Sequence, residues 1–161
     1  MNKQNNILFS TFNYVIIATS GFLLLISWLY VIIEYPNLPK TIAVHFDAAG
    51  NPNGYNDKYT IWLAPIIFTA LSIGFIFGAK NPKLLDFSNK IKNLQDEIFQ
   101  SKILLFSSLL LSSILCIIVF SMVKTSTNKT ANMSWILPTL LIFIGSYLIA
   151  LFYYYLKILK K

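Results

Sequence analysis

At 161 residues, with a formal charge of +7, 56% apolar residues and only 12% charged ones, the chain is far more apolar than a soluble domain of its size. The lysines flank long apolar blocks and do not gather into a basic domain, which argues against nucleic acid as a partner. A membrane is the solvent this composition fits, and its anionic headgroups are the expected partners of the positive charge.

Four apolar blocks fall at about 12–33, 61–78, 103–123 and 135–156, each near the ~20 residues that a helix needs to cross ~30 Å of hydrocarbon. Lipid offers backbone amides no partner, and these Leu-, Ile- and Phe-rich runs do not alternate as barrel strands do. The expected fold class is all-α integral membrane. It is a four-transmembrane-helix bundle forming one domain over 1–161, with a structured outer loop at 35–60 and an amphipathic inner connecting helix at about 83–100.

The first block exceeds the ~7–15 residues of a signal-peptide core, follows only Lys3 and lacks a small-residue cleavage site, so it reads as a retained anchor. Glu34 closes it at the outer boundary, where a carboxylate reaches water at little cost.

The loop that follows is more polar and richer in turn residues than anything around it. Pro36 and Pro39 favour extended backbone, Thr41 to Phe46 includes β-branched residues in partial alternation, and Gly50 to Asp57 supplies repeated Gly and Asn turn positions. A short strand and a tight turn are expected. Leu38, Pro39, Ile42, His45, Phe46, Gly50, Pro52, Gly54 and Lys58 stand at spacings that resemble a family of small bacterial membrane proteins, the one catalogued as domain of unknown function 1648 and found also in Sdp-type immunity proteins.

The resemblance covers about 23–78. Ala43, Asn53 and Tyr55 depart from the pattern, in which proline, aspartate and commonly tryptophan occupy those places. Immunity proteins of the Sdp type add a membrane portion with an arginine-containing motif, and this chain has no arginine. Immunity is therefore not carried over with the loop.

In the second block, Ala70, Gly74 and Gly78 at four-residue intervals read as a packing face, as do Ser108 and Ser112 in the third. Pro65 and Pro138 fall in the first turns of their blocks, where a missing amide costs little. Between the second and third blocks, Leu84, Phe87, Ile91, Leu94 and Ile98 recur at steps of three and four, with Lys90, Lys92, Asp96 and Glu97 between them, which predicts the inner amphipathic helix. Cys116, the single cysteine, lies inside the third block and reads as a packing residue.

Lys3, Lys80, Lys83, Lys90, Lys92, Lys102, Lys157, Lys160 and Lys161 share one side of this topology, and Lys40, Lys58, Lys124 and Lys129 the other. By the positive-inside rule both termini are cytoplasmic. The resemblance to bacterial membrane proteins then implies a multi-pass protein of the bacterial cytoplasmic membrane. Trp28, Tyr30, Tyr35, Tyr59, Trp62 and Trp135 fall near the outer boundary, and Tyr153, Tyr154 and Tyr155 near the inner one, as interfacial anchors.

No block carries an ionisable residue at mid-depth, which weighs against an ion pump. Candidate residues are therefore those of the loop: Pro39, His45, Phe46, Asp47, Gly50, Pro52, Gly54, Asp57 and Lys58, as ligand-binding or loop-structuring groups. In the structural reading, His45 hydrogen-bonds across the loop, Phe46 packs on the bundle and the glycines and Pro52 set turns.

In the functional reading, His45, Asp47, Asp57 and Lys58 receive a peptide, a toxin or a lipid, in immunity or signalling. A cytoplasmic protein at the lysine-rich face and a second copy of the chain are further expected partners. One histidine and scattered carboxylates lack the spacing of a metal site or any nucleophile motif, so no cofactor, metal or catalytic residue is assigned. The competing readings are a metal-dependent enzyme at the membrane surface using His45 and Asp47, and a small oligomeric transporter.

Overall fold

Each of the four apolar blocks is helical in the computed structural model, which describes residues 10–85, 93–128 and 134–159. Helix α1 runs Thr11–Glu34, α2 Leu63–Lys80, α3 Leu94–Thr127 and α4 Ile136–Leu159. With the short 3-10 turns at their ends, the first three give stretches long and apolar enough to cross a membrane, and α4 adds a shorter apolar stretch, Ile136–Ile149. The chain is a multi-pass membrane protein, with one element of sheet among the described residues. An antiparallel hairpin of β1 (Thr41–Phe46) and β2 (Pro52–Asp57) is inserted between α1 and α2.

Local chemistry sets the helix ends. Pro36 has no amide to donate, and the α-helical ladder gives way to a 3-10 turn at Tyr35–Asn37 before the backbone extends at Leu38. Pro65 lies in the first turn of α2, where amides have no intrahelical partner to lose. At the start of α3 the Asn93 side chain accepts from the Gln95 and Asp96 amides while the Asp96 carboxylate reaches back to the Asn93 amide, a reciprocal capping box.

Of the amphipathic helix expected over about 83–100, residues 86–92 lie outside the described residues. Pro82–Leu85 is a 3-10 turn, and Leu94 onward belongs to α3, which continues unbroken into the third apolar block because no glycine or proline interrupts it. Lys83 reaches across to this helix, 2.9 Å from the buried Glu97 carboxylate.

Helix α3 is the hub. Both α1 and α2 pack along it, the hairpin rests on its far end and α4 lies against it, with the Ser107 and Tyr147 hydroxyls 2.6 Å apart. Two apolar clusters form the core. One, at the hairpin end, holds Val31, Leu38, Ile42, Ile61, Leu115 and Val119, and the other gathers Ile16, Ala79, Leu104 and Leu105.

Buried Ser20, Ser27, Ser72, Ser108 and Ser112 also sit inside the bundle, small enough to let backbones approach. The Ser27 hydroxyl is 3.0 Å from Cys116 Sγ, and Trp28 Nε1 donates to Thr69 Oγ1 at 3.0 Å, tying α1 to α3 and to α2. In α2 the small-residue face differs from expectation. Gly78 is buried but Ala70 and Gly74 are exposed, and a Cβ at Gly74 would touch nothing within 4 Å. The helix instead turns Pro65, Ser72 and Ala79 inward, because α3 lies on that side.

Candidate functional site at the hairpin end

The hairpin is the most polar part of the described chain, and its register explains where its side chains go. Thr41, Ile42 and Ala43 pair with Asp57, Asn56 and Tyr55, after which His45 faces Gly54 and Phe46 faces Pro52. Val44 is thus an extra residue on β1 and Asn53 an extra residue on β2, two compensating bulges. Buried Ile42 and half-buried Val44 and Phe46 pack into the core cluster beneath.

Compensation brings the His45 ring against the Gly54 backbone. A Cβ at position 54 would lie 2.9 Å from both Cβ and Cδ2 of His45. Gly54 therefore answers a close approach, whereas Gly50, at φ 80°, answers a turn. The exposed His45 imidazole makes no hydrogen bond among the described residues, so packing on glycine takes the place of the expected bond across the loop.

Both loop carboxylates are engaged locally. Asp47 lies beyond β1, where its Oδ1 accepts from the amides of Asn51 (2.8 Å) and Ala49 (2.9 Å) and its Oδ2 from the Asn51 side chain (3.2 Å). Those bonds, the Asn51 amide foremost, hold the Asp47 carboxyl below its ordinary value of 3.8. Asp57 caps the 3-10 turn Lys58–Trp62 by accepting from the Tyr59 amide at 2.9 Å.

The Lys58 ammonium stands 4.7 Å from the centre of the Tyr35 ring, within an aromatic group in which Trp62 lies 5.2 Å from Tyr35 and 6.0 Å from Trp28. Among the described residues no group of three or more His, Cys, Asp or Glu side chains comes together in a way that could hold a metal ion.

What the fold builds instead is a cleft of about 490 Å³ between the hairpin and the end of α3. Pro39, Lys40 and Thr41 enter it from one side, Pro52 and Tyr55 from β2, and Thr125 and Ser126 from α3. Ser126 seats the hairpin: its Oγ accepts the Ala43 amide at 3.1 Å and donates to the Met122 carbonyl at 2.6 Å.

Its neighbour Thr125 is different. Ser121, Ser126 and Thr127 all return their hydroxyls to the carbonyl four residues back, but the Thr125 hydroxyl has no hydrogen-bond partner among the described residues although the residue is only 4% exposed. A buried hydroxyl without a partner costs about 1–3 kcal/mol.

Of the residues singled out from the sequence, Pro39 and Pro52 line this cleft, while His45, Phe46, Asp47, Gly50, Gly54, Asp57 and Lys58 shape or brace the hairpin. Lys40, Thr41, Tyr55, Thr125 and Ser126 were not singled out. The available signal was the hydroxyl run of 125–127 at the polar end of an apolar helix, which reads as an ordinary helix end.

Residues 22–69 match the family model described as Domain of unknown function (DUF1648). The matched segment runs from within α1 through the hairpin into α2 and stops short of α3. One wall of the cleft thus belongs to the matched segment and the other, with Thr125 and Ser126, lies outside it. A protein of Archaeoglobus fulgidus described as uncharacterized is 33% identical over 42 residues, 26% of this chain and 23% of that protein. The chain therefore matches under a quarter of that relative's length. No solved structure matches.

Proposed function

We propose that this is a non-enzymatic membrane protein whose hairpin end receives a ligand in the cleft between hairpin and α3. The observation that carries this reading is Thr125, one of the residues lining a cleft large enough for a small molecule or a headgroup, whose buried hydroxyl has no hydrogen-bond partner among the described residues. The hairpin carboxylates Asp47 and Asp57 are held in turns, which gives the cleft a preformed rim.

In this proposal the hairpin faces outward and the lysine-rich end faces the cytoplasm, following the bias of lysines along the chain. A peptide, a toxin or a lipid fits the site, and a cytoplasmic protein or a second copy of the chain receives the signal. The likeness of the loop to Sdp-type immunity proteins supports recognition over catalysis.

The test is purification in mild detergent of wild type, Thr125→Val and Lys40→Gln, with bound lipids, peptides, proteins and metals identified by mass spectrometry. A ligand held by wild type and lost from both variants supports the reading. Identical profiles in all three overturn it.

A further inference from the structure

Every polar side chain lining the cleft donates hydrogen bonds, and none is a carboxylate: the Lys40 ammonium and the hydroxyls of Thr41, Tyr55, Thr125 and Ser126. Ser126 already gives its proton to Met122. The exposed Lys40 ammonium has no ion pair among the described residues, where the salt bridge is Lys83 with Glu97 at the opposite end of α3. A cation sharing a cleft with hydroxyl donors is complementary to an oxyanion, and lysine serves phosphate as a point charge.

The partial negative charge at the C-terminus of α3 opposes an anion there, and Lys40 together with Lys124 in that last turn offsets it. The volume, about 490 Å³, is generous for a bare carboxylate and suits a phosphate with a substituent. Trp28, Trp62 and Tyr35 mark the neighbouring level as the edge of the hydrocarbon, the depth at which phosphates lie in a bilayer.

Resting on the cleft as the ligand site, we propose that its ligand is a phosphate group, held by the Lys40 ammonium and the Thr125 hydroxyl, with Thr41 and Tyr55 at the rim. Withdrawn from water and unpaired among the described residues, the Thr125 hydroxyl gains a hydrogen bond by donating to a phosphate oxygen. The phosphate arrives on a lipid headgroup or on a soluble ester.

The experiment uses the full chain in mild detergent, with unfolding followed by the emission of Trp28, Trp62 and Trp135. Inorganic phosphate is titrated against chloride at constant ionic strength. Wild type is expected to gain Tm with phosphate beyond chloride. In Thr125→Val the starting Tm is equal or higher, since an unpaired buried hydroxyl is gone, yet the phosphate midpoint moves up by about tenfold or more.

Lys40→Gln loses the shift and Lys80→Gln, at the far end of the bundle, keeps it. That split separates ligand binding from a structural role. In a second arm, native mass spectrometry follows protein transferred from phosphatidylglycerol vesicles and from vesicles of a phosphate-free glycolipid. Retained phosphatidylglycerol, released by Thr125→Val, identifies the headgroup as the source, and a shift with inorganic phosphate alone identifies a soluble one.

No phosphate-specific shift together with no retained phospholipid, or an unchanged midpoint in Thr125→Val, overturns the proposal. If Thr125→Val and Lys40→Gln then still shed some phosphate-free ligand, the cleft stands as a site and phosphate alone falls. If nothing is shed, both fall.

Discussion

Replacing Gly54 with alanine isolates the contact that shapes the hairpin. The added methyl would sit 2.9 Å from His45 Cβ and Cδ2 and 3.2 Å from Cγ, where carbon atoms prefer about 3.5–4.0 Å. Cβ is fixed to the strand and does not rotate away, so relief requires the two strands to part, and overpacking of this kind costs about 1–3 kcal/mol. His45→Ala removes Cγ and Cδ2 but leaves the clash between Cβ atoms, whereas His45→Gly removes all three contacts at about 0.5–1 kcal/mol for a glycine within a strand.

A double-mutant cycle with thermal unfolding read by tryptophan emission is the assay, and Trp28 and Trp62 report on this end. Gly54→Ala is expected to be destabilising in wild type, less so with His45→Ala and nearly neutral with His45→Gly. The coupling should be well above the ~0.5 kcal/mol scatter of independent sites. Equal costs in all three backgrounds would refute the argument that ring and glycine exclude a side chain at 54.

Ser126→Ala leaves the buried Ala43 amide without its acceptor and is expected to cost about 1–3 kcal/mol, measured as a loss of thermal stability; an unchanged Tm would show that the hairpin is seated by other contacts. The Asp47 carboxyl has a folded value below 3.8, so its contribution is complete above the unfolded value and is lost as pH falls through the folded one. Acidification below about pH 4 should therefore loosen the turn in wild type, while Asp47→Asn is already loosened at neutral pH and lacks that step, as followed by hydrogen exchange at the Ala49 and Asn51 amides. Asn93→Ala removes the side-chain half of the α3 capping box, leaving the Asp96 carboxylate on the backbone amide of residue 93, and should cost about 1 kcal/mol, with faster exchange at Gln95 and Asp96 and no change in the tryptophans at the hairpin end.

The membrane architecture was legible because it rests on a one-dimensional requirement: about twenty apolar residues in a row. Of the hairpin, the strand Thr41–Phe46 and the turn at Gly50 were legible from local signals, whereas Pro52–Asp57, read as turn positions, is the second strand, and Gly54 within it answers the approach of His45. Asp47 was weighed as a ligand, yet the Ala-Ala-Gly-Asn that follows it is an Asx-turn signal, and in the fold its oxygens are taken by that turn. His45 facing Gly54 required two bulges that undo the period-two alternation, and nothing in the spacing announces a bulge. The cleft was the least accessible of all. Ala43 and Ser126 are 83 residues apart, and only packing of the hairpin on α3 brings Lys40 and Thr125 to the same cavity.

Helix α3 has 34 residues and neither glycine nor proline, so at 1.5 Å per residue it is about 51 Å long against roughly 30 Å of hydrocarbon. One tip carries Ser126 and the hairpin; the other carries Glu97 and the Lys83 it holds. A shaft without a hinge transmits tilt: pivoting about its middle by about 5° moves each tip by about 2 Å, in opposite directions. Displacing the tip that carries Ser126 is therefore also a displacement at Glu97, and the two ends of the bundle share one mechanical coordinate.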